Sequence, residues 1–257
     1  MSTGPQNSKV RSTLYRALRY PWHLLISNIR KLVFISLGRG RYRNQIYDGY
    51  LRESLPSGMG RSDISDHLST IFYFARDANP KLIVELGTRG GESTKALLAA
   101  SASCNSVMLS IDMDDCNHSG LPFDEHWNFI KADDIEFGRD GFVEWCNSKS
   151  IPAKIGVLFI DTSHEYNHTK QELETWLEYL DENGIIILHD TNMGKGIFSR
   201  RDGSIGLSWD NERGVIRALE ELMGSKYDES TFFCDFNEEY SLLHFPNCNG
   251  LSIIKKV

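Results

Sequence analysis

The sequence lacks the features that mark several large classes of protein. Its 257 residues contain only five cysteines, none in a C-x-x-C pair, which argues against a disulfide framework or a structural zinc site. A reducing compartment such as the cytoplasm is therefore expected. The N-terminus shows no apolar core followed by a small-residue cleavage site, so a signal peptide is not expected. The seven prolines are scattered and no repeat is found, which favours one large α/β domain, alone or with an appendage.

Acidic residues are missing from the first 47 positions. Nine lysines and arginines give this segment a charge of +9, while the whole chain carries −7 and residues 48–257 therefore carry −16. An acidic body argues against nucleic acid binding across the main fold. An anionic partner is compatible with the N-terminal segment alone.

The basic segment contains no apolar run long enough to span a bilayer. Apolar residues recur at helical spacing from Trp22 to Leu37, interrupted by two basic residues. Such a helix could give residues 1–47 a peripheral contact with a membrane. Its commoner role is packing on the body, over an active site or in a dimer, and we expect a homo-oligomer. We therefore divide the chain into a leader (1–60) and a main domain (61–257).

Apolar segments alternate with amphipathic helical segments through the main domain. This alternation predicts a doubly wound, mostly parallel, Rossmann-like α/β sheet of seven strands, ending in an antiparallel hairpin. The five predicted parallel strands are KLIVELG (81–87), SVMLSID (106–112), NFIKADD (128–134), IGVLFID (155–161) and GIIILHD (184–190).

Glycines and acids follow the first two strands, where open α/β sheets bind ligands. The glycines of segment 87–91 allow a ligand to approach the backbone closely. The pattern is not the dinucleotide fingerprint, because Glu85 replaces its first glycine, and an acid there suits a cofactor with a cationic amino group. Asp112 is placed to hold ribose hydroxyls, and Asp133 or Asp134 to accept from an adenine amino group.

The ordered set VELGTRGGES, Asp112, KADD, FIDTSHEY and GIIILHDT resembles the motifs of class I S-adenosylmethionine-dependent methyltransferases. Within that class it is most similar to a branch that contains macrocin-type O-methyltransferases and cephalosporin hydroxylase-like proteins. The resemblance covers roughly residues 65–257. It implies S-adenosylmethionine as cofactor, with Asp112 at the ribose, Asp133 and Asp134 at the adenine, and the methionine part held by Glu85, Gly87, Thr88, Arg89, Gly90, Gly91 and Ser93.

Two acids end neighbouring strands of the predicted sheet. Asp161 follows the fourth strand and Asp190 the fifth, and neighbouring strands lie ~4.8 Å apart. Two carboxylates so placed can share a divalent cation such as Mg²⁺, which prefers oxygen ligands and could acidify a substrate hydroxyl. His164 is spaced to take the proton as general base. The macrocin-like relatives commonly have Glu-Asp where this chain has His189-Asp190, which leaves the third ligand open between His189, Asn192 and water.

A long segment rich in glycine and charge follows Asp190 and should lie over the strand ends as an acceptor lid. Its candidate contacts to a small-molecule acceptor are Asn192, Arg200, Arg201 and Trp209, with Tyr166 after the fourth strand. The resemblance implies O-methylation of a sugar, a glycosylated metabolite or a polyketide-like metabolite. The alternatives are a metal-independent methyltransferase, a non-catalytic protein of the same fold, and a nicotinamide-dependent oxidoreductase, which Glu85 disfavours.

Overall fold

The computed structural model describes residues 62–116, 126–194, 196–200 and 205–257, with Leu25, Ile26 and Ile29 of the leader. These three leader residues are helical, and each side chain is about half exposed. The other leader residues, and with them the predictions of membrane contact and dimer contact, lie outside the described residues. Across the described residues, no helix is both long and apolar enough to cross a membrane.

Eight strands of the described chain form one large sheet, and two short strands form a separate hairpin. The strands are β1 Leu82–Leu86, β2 Val107–Asp112, β3 Trp127–Lys131, β4 Ile155–Ile160, β5 Leu180–His189, β6 Ile197–Ser199, β7 Ile205–Leu207, β8 Phe233–Phe236, β9 Tyr240–Phe245 and β10 Leu251–Lys256. The main sheet has the order β3-β2-β1-β4-β5-β10-β9-β8. Its first five strands are parallel, and the last three are joined antiparallel.

Helices cover both faces of this sheet. They are α1 Leu68–Asp77, α2 Glu92–Cys104, α3 Asp134–Asp140, α4 Phe142–Ser148, α5 Tyr166–Trp176 and α6 Gly214–Met223. Alternate residues of a strand point to opposite faces, so Leu82 and Val84 pack in one core cluster while Ile83 packs in the other. Both faces of the central strands are therefore buried, as their uninterrupted apolar sequences predict.

The doubly wound α/β fold and the C-terminal antiparallel hairpin are confirmed, but the predicted strand number is wrong. The main sheet has eight strands in the described residues, because β8 adds an outer strand that pairs with β9 alone. The predicted lid is also more regular than expected, since β6 and β7 pair within it.

The turn after β1 brings the ends of two strands into contact. Gly87 has a φ of +86°, and a Cβ at this position would lie 2.1 Å from the carbonyl oxygen of Asp161. Only glycine fits here, because both the positive φ and the close approach exclude a side chain. β1 lies between β2 and β4, so the chain reverses its winding direction at this point, which is where such sheets bind ligands.

Candidate active site

Two adjoining cavities open at the carboxyl ends of β1, β2 and β4. The first cavity has a volume of about 250 Å³ and the second about 230 Å³. Both are lined by Gly87, Arg89 and Asp161. The structure therefore brings the predicted glycine segment and the predicted acid of β4 to one site.

Asp112 stands between the glycine segment and the second cavity. Its Oδ2 accepts hydrogen bonds from the backbone N–H groups of Thr88 at 2.8 Å and Arg89 at 3.0 Å, and its Oδ1 accepts from Asp114 N. Burial works against the charge, but these three N–H groups hold the pKa of Asp112 below its usual value. Asp112 is thus an ionised acceptor on the cavity wall, which suits ribose hydroxyls.

The rest of the glycine segment is shaped around the first cavity. Arg89 has a φ of 41°, and Gly91, with a φ of 75°, is the N-cap of α2. Gly90 and Ser93 line the first cavity, and a Cβ on Gly90 would have no atom within 4 Å. The backbone here is open to a ligand.

Glu85 lies behind this wall and is fully buried. Its carboxylate accepts hydrogen bonds from the hydroxyls of Ser93 at 2.7 Å, Thr94 at 2.9 and 3.1 Å, and Ser110 at 2.6 Å. Burial raises the pKa of Glu85 to about 7. This arrangement corrects the predicted contact with a cationic amino group, because hydroxyls from α2 and β2 occupy both carboxylate oxygens. Glu85 instead ties the start of α2 to the sheet.

The two acids after β3 have different roles. Asp133 is the N-cap of α3, and its side chain accepts from Glu136 N at 2.9 Å, so the predicted adenine contact of Asp133 is corrected to a capping role. Asp134 is buried. The carboxyl of Glu172 is the neighbouring donor for Asp134, and Asp134 is the acid of this pair that lines the second cavity.

His168 and Glu172, to which the sequence assigned no role, hold Asp134 in place. His168 Nε2 lies 3.4 Å from Asp134 Oδ1 and 3.6 Å from Glu172 Oε1. The hydrogen bond with Asp134 raises the pKa of His168, while burial raises that of Glu172 well above its ordinary value. Their i, i+4 spacing on α5 could have predicted that they act together, but not that Asp134 joins them.

Asp161 and Asp190 meet at the ends of β4 and β5, as predicted, and His189 lies against both. His189 Nδ1 is 3.3 Å from Asp161 Oδ1 and 3.4 Å from Asp190 Oδ1. His189 Nε2 is 3.0 Å from the carbonyl oxygen of Cys248. A carbonyl only accepts, so Nε2 carries the N–H and Nδ1 is the atom that faces the two carboxylates.

The charges of this cluster depend strongly on one another. Burial alone would lower the pKa of His189, but the carboxylates of Asp190 and Asp161 raise it to about 10. Burial raises the pKa of Asp190 to about 7, whereas for Asp161 the nearby His189 outweighs burial and lowers the pKa. The two carboxylates therefore need a positive charge beside them at His189 Nδ1. Either a proton on Nδ1 or a bound cation can supply it.

The same atoms fit a divalent cation. Ligands bound at about 2.1 Å to one ion lie roughly 3 to 3.5 Å apart, which matches both distances from His189 Nδ1. Asp190 Oδ1 is buried and lacks a hydrogen-bond partner, and suitable atoms of Asp161, His164 and Asp190 lie within 4.8 Å of one another. The candidate ligands are thus the carboxylates of Asp161 and Asp190 with one imidazole, either His189 or His164.

The side chain of His164, in the turn after β4, also contacts Asp161 and Asp190. Its Nδ1 lies 3.1 Å from Asp190 Oδ2 and 3.8 Å from Asp161 Oδ1. Burial lowers the pKa of His164, so the ring is neutral at neutral pH. The exposed ring of Trp209 packs edge-on against it, with centroids 5.7 Å apart. When Nδ1–H donates to Asp190, Nε2 keeps its lone pair for a substrate proton.

Asn211 connects this pair to the lid and was missed by the sequence analysis. Its Nδ2 lies 3.4 Å from the carbonyl oxygens of both His164 and Asp190. These two residues have φ values of 61° and 58°, a left-handed conformation that is uncommon outside glycine. Asn211 thus bridges the two strained turns. No local pattern signals this contact, because it joins three segments that are distant in sequence.

Two predicted acceptor residues make other contacts. The hydroxyl of Tyr166 donates to Glu221 of α6, and Arg217 lies 4.4 Å above its ring, so Tyr166 joins two helices. Asn192 Nδ2 donates to Pro246 O at 2.8 Å, in the turn before β10. These contacts correct the prediction that the two side chains face an acceptor. The hydroxyl of Tyr166 and the amide of Asn192 are instead used in contacts within the fold.

Within the lid, Arg200 stacks on Phe198 at 4.7 Å and its Nε donates to Ser62 O at 3.3 Å. This contact joins the hairpin of β6 and β7 to the rim of the first cavity. Arg201 lies outside the described residues.

A family model described as a methyltransferase domain matches residues 84–191, which run from β1 to just past β5. That segment contains the glycine turn, Asp112, Asp134 and the acid pair. This match supports the resemblance to class I S-adenosylmethionine-dependent methyltransferases. The finer prediction, a macrocin-like branch within this class, stays a prediction. No curated protein sequence matches the chain.

Solved methyltransferase structures are similar to this chain in fold. A Staphylococcus aureus protein provisionally described as a caffeoyl-CoA O-methyltransferase has a TM-score of 0.53 at 16% identity, covering 89% of this chain and 100% of that one. A Bacillus cereus O-methyltransferase in complex with S-adenosylhomocysteine has a TM-score of 0.51 at 12% identity, covering 91% and 99%. The O-methyltransferase TomG from Streptomyces achromogenes, bound to S-adenosylmethionine, has a TM-score of 0.50 at 12% identity, covering 91% and 98%.

Proposed function

We propose that the chain transfers the methyl group of S-adenosylmethionine to a hydroxyl oxygen of a small molecule. The observation that carries this proposal is the contact between His164 and Asp190, 3.1 Å apart and next to Asp161, which lines both cavities. A neutral imidazole held by a carboxylate is suited to removing a proton from a weakly acidic hydroxyl. The arrangement favours O-methylation.

The two cavities divide the cofactor between them. In this proposal the ribose hydroxyls would donate to Asp112, and the adenine amino group would donate to the carboxylate of Asp134. Gly90 and Ser93 of the first cavity would hold the methionine part. S-adenosylmethionine supplies an activated methyl group, so the protein needs only to orient it toward the acceptor oxygen.

The acceptor binds on the other side of His164, beneath the lid. Its hydroxyl proton passes to His164 Nε2 while Asp190 stabilises the imidazolium that forms. The half-exposed Trp209 ring offers a stacking surface beside this base. Such a surface suits a sugar or a planar ring, so we propose sugars, glycosylated metabolites and polyketide-like metabolites as the acceptor classes.

Asp161, Asp190 and His189 would hold a divalent cation such as Mg²⁺ in this proposal. The ion would supply Lewis acidity that lowers the pKa of an acceptor hydroxyl. Cys248 O fixes the Nε2–H of His189 and leaves Nδ1 facing the carboxylates, which supports His189, once Nδ1 has lost its proton, as the third ligand.

Two measurements on the full chain test this function. Calorimetry with S-adenosylhomocysteine should show one ligand bound per chain. Labelled S-adenosylmethionine should then transfer its methyl group to members of a panel of sugar, glycoside and polyketide hydroxyls, with EDTA reducing turnover. Lack of S-adenosylhomocysteine binding would exclude the function, whereas binding with EDTA-resistant turnover would exclude the metal alone.

A further inference from the structure

We propose that Asp63 binds the α-ammonium group of the cofactor's methionine portion, in the role that the sequence predicts for Glu85. This inference rests on the proposed function, because it assigns a residue to the same ligand. It concerns the segment just before α1, which the motifs of the strand ends do not include.

The first cavity is more acidic than a cavity for a neutral ligand needs to be. Its lining includes the carboxylates of Asp63, Glu92 and Asp161, and Arg89 is the cationic side chain in the same lining. An amino acid zwitterion presents both an ammonium and a carboxylate. Arg89 is suited to the carboxylate, and one of the three acids is suited to the ammonium.

Two of the acids near this cavity already have partners. Glu85 is fully buried and accepts from three hydroxyls. Asp161 Oδ1 lies 3.3 Å from His189 Nδ1, in the acid cluster. Neither carboxylate is set aside for a ligand in the first cavity, which leaves Asp63 and Glu92.

Position favours Asp63 over Glu92. Glu92 begins α2, where burial raises its pKa and where it has Ser62, Arg89 and Lys95 as partners. Asp63 acts electrostatically on Glu92 and also on His189 and Asp190. Asp63 thus lines the first cavity and lies within electrostatic reach of the reacting groups.

The lid also contacts the segment that carries Asp63. Arg200 of β6–β7 donates to the carbonyl oxygen of Ser62, the residue before Asp63. Arg200 therefore holds the backbone from which Asp63 reaches the cavity, and the lid and the cofactor site share one anchor.

Ligand truncation provides the test. S-adenosylhomocysteine carries the amino acid, whereas 5′-methylthioadenosine keeps the nucleoside and sulfur but lacks the ammonium and carboxylate. Calorimetry on the full chain should show Asp63→Asn losing about tenfold to hundredfold in affinity for S-adenosylhomocysteine, the range of one hydrogen bond to a charged group. Affinity for 5′-methylthioadenosine should stay unchanged, which also shows that the variant is folded.

Matched variants show whether the effect is specific to the Asp63 carboxylate. Asp63→Glu keeps the charge and should recover part of the affinity, and Asp115→Asn, on an exposed residue, should change neither ligand. Equal losses for both ligands, no loss for S-adenosylhomocysteine, or a larger selective loss in Glu92→Gln would each overturn the assignment of Asp63 alone. A wild-type chain that binds neither ligand would overturn the assignment together with the proposed function.

Discussion

His164 Nδ1 lies 3.1 Å from Asp190 Oδ2, and both residues hold left-handed backbone conformations. Each follows a parallel strand, and each turn must leave the sheet sharply to aim its side chain at the other. Strain of this kind persists only where surrounding contacts fix it. The fold therefore holds His164 and Asp190 together at a cost in local backbone energy. The resulting contact orients the imidazole, as a proton acceptor requires.

Replacing the base should separate chemistry from binding. His164→Gln should lower kcat by about 10²- to 10⁴-fold, the usual contribution of a general base. Burial lowers the pKa of His164, so wild-type kcat should fall as pH drops through a value below 6.5 and stay level above it. The variant should lose this acid limb while its affinity for S-adenosylhomocysteine stays unchanged. An unaltered pH profile would show that another group takes the proton.

Metal affinity should depend on pH through Asp190. Burial raises the pKa of this carboxyl to about 7, so a proton competes with the cation below that pH and Mn²⁺ affinity should rise as pH increases through it. His189, with a pKa of about 10, must also lose its Nδ1 proton to act as ligand. Calorimetry in buffers of different ionisation enthalpy should therefore detect proton release on Mn²⁺ binding. Asp190→Asn should abolish the binding, and Asp115→Asn should preserve it.

Asp134 should recognise the 6-amino group of the cofactor's adenine. The Asp134→Asn variant replaces one acceptor oxygen with an NH₂ donor, which can bond the 6-oxo group of hypoxanthine. The wild type should prefer S-adenosylhomocysteine over S-inosylhomocysteine, and the variant should reduce or reverse this preference. A purely structural role for Asp134 predicts equal weakening of both ligands, which direct titration would reveal.

Replacing Gly87 with alanine should lower the melting temperature, whereas replacing Gly90 should not. Gly87→Ala forces a Cβ to within 2.1 Å of Asp161 O at a φ of +86°, whereas the same change at Gly90 meets no atom within 4 Å. Strain of roughly 1–3 kcal/mol predicts a Tm several degrees lower for Gly87→Ala. Thermal unfolding should show little change for Gly90→Ala. Equal melting temperatures for the two variants would contradict the close approach of β1 and β4.

Asn211 should position the base rather than take part in binding. Asn211→Ala removes the amide that bridges the carbonyl oxygens of His164 and Asp190. Because small misplacements of reacting groups are costly, kcat should fall about tenfold to hundredfold with S-adenosylhomocysteine affinity unchanged. Asn167→Ala, on an exposed helical residue, is the control. A loss confined to KM for the acceptor would instead mark Asn211 as a substrate contact.

Local sequence patterns predicted the parts of this molecule that depend on local physics. The strands carry uninterrupted apolar residues because both sheet faces are buried, and the acids at their ends stand out against that background. Asp112, Asp161 and Asp190 were found in this way, and the structure places them at the predicted edge. The predicted count of seven strands was one too low, because all three strands after α6 join the main sheet.

The roles that sequence reasoning assigned wrongly depend on contacts between distant segments. Glu85 has the expected residue type at the expected place, but three hydroxyls from α2 and β2 occupy it. Tyr166 is polar and follows β4, yet it points to a helix that is 55 residues away in sequence. The tautomer of His189 is set by Cys248 O, which lies on a different turn. Such pairings follow from tertiary packing, which one sequence does not display.

A crystal structure of the full chain with S-adenosylhomocysteine and Mn²⁺ would locate the cofactor, the metal and the base together. We expect the nucleoside beside Asp112 and Asp134, the amino acid part in the first cavity, and an anomalous peak bound by Asp161, Asp190 and His189 Nδ1. His164 Nε2 should face the space next to the cofactor sulfur. A cofactor bound elsewhere, or a His164 ring turned away from that space, would contradict the account.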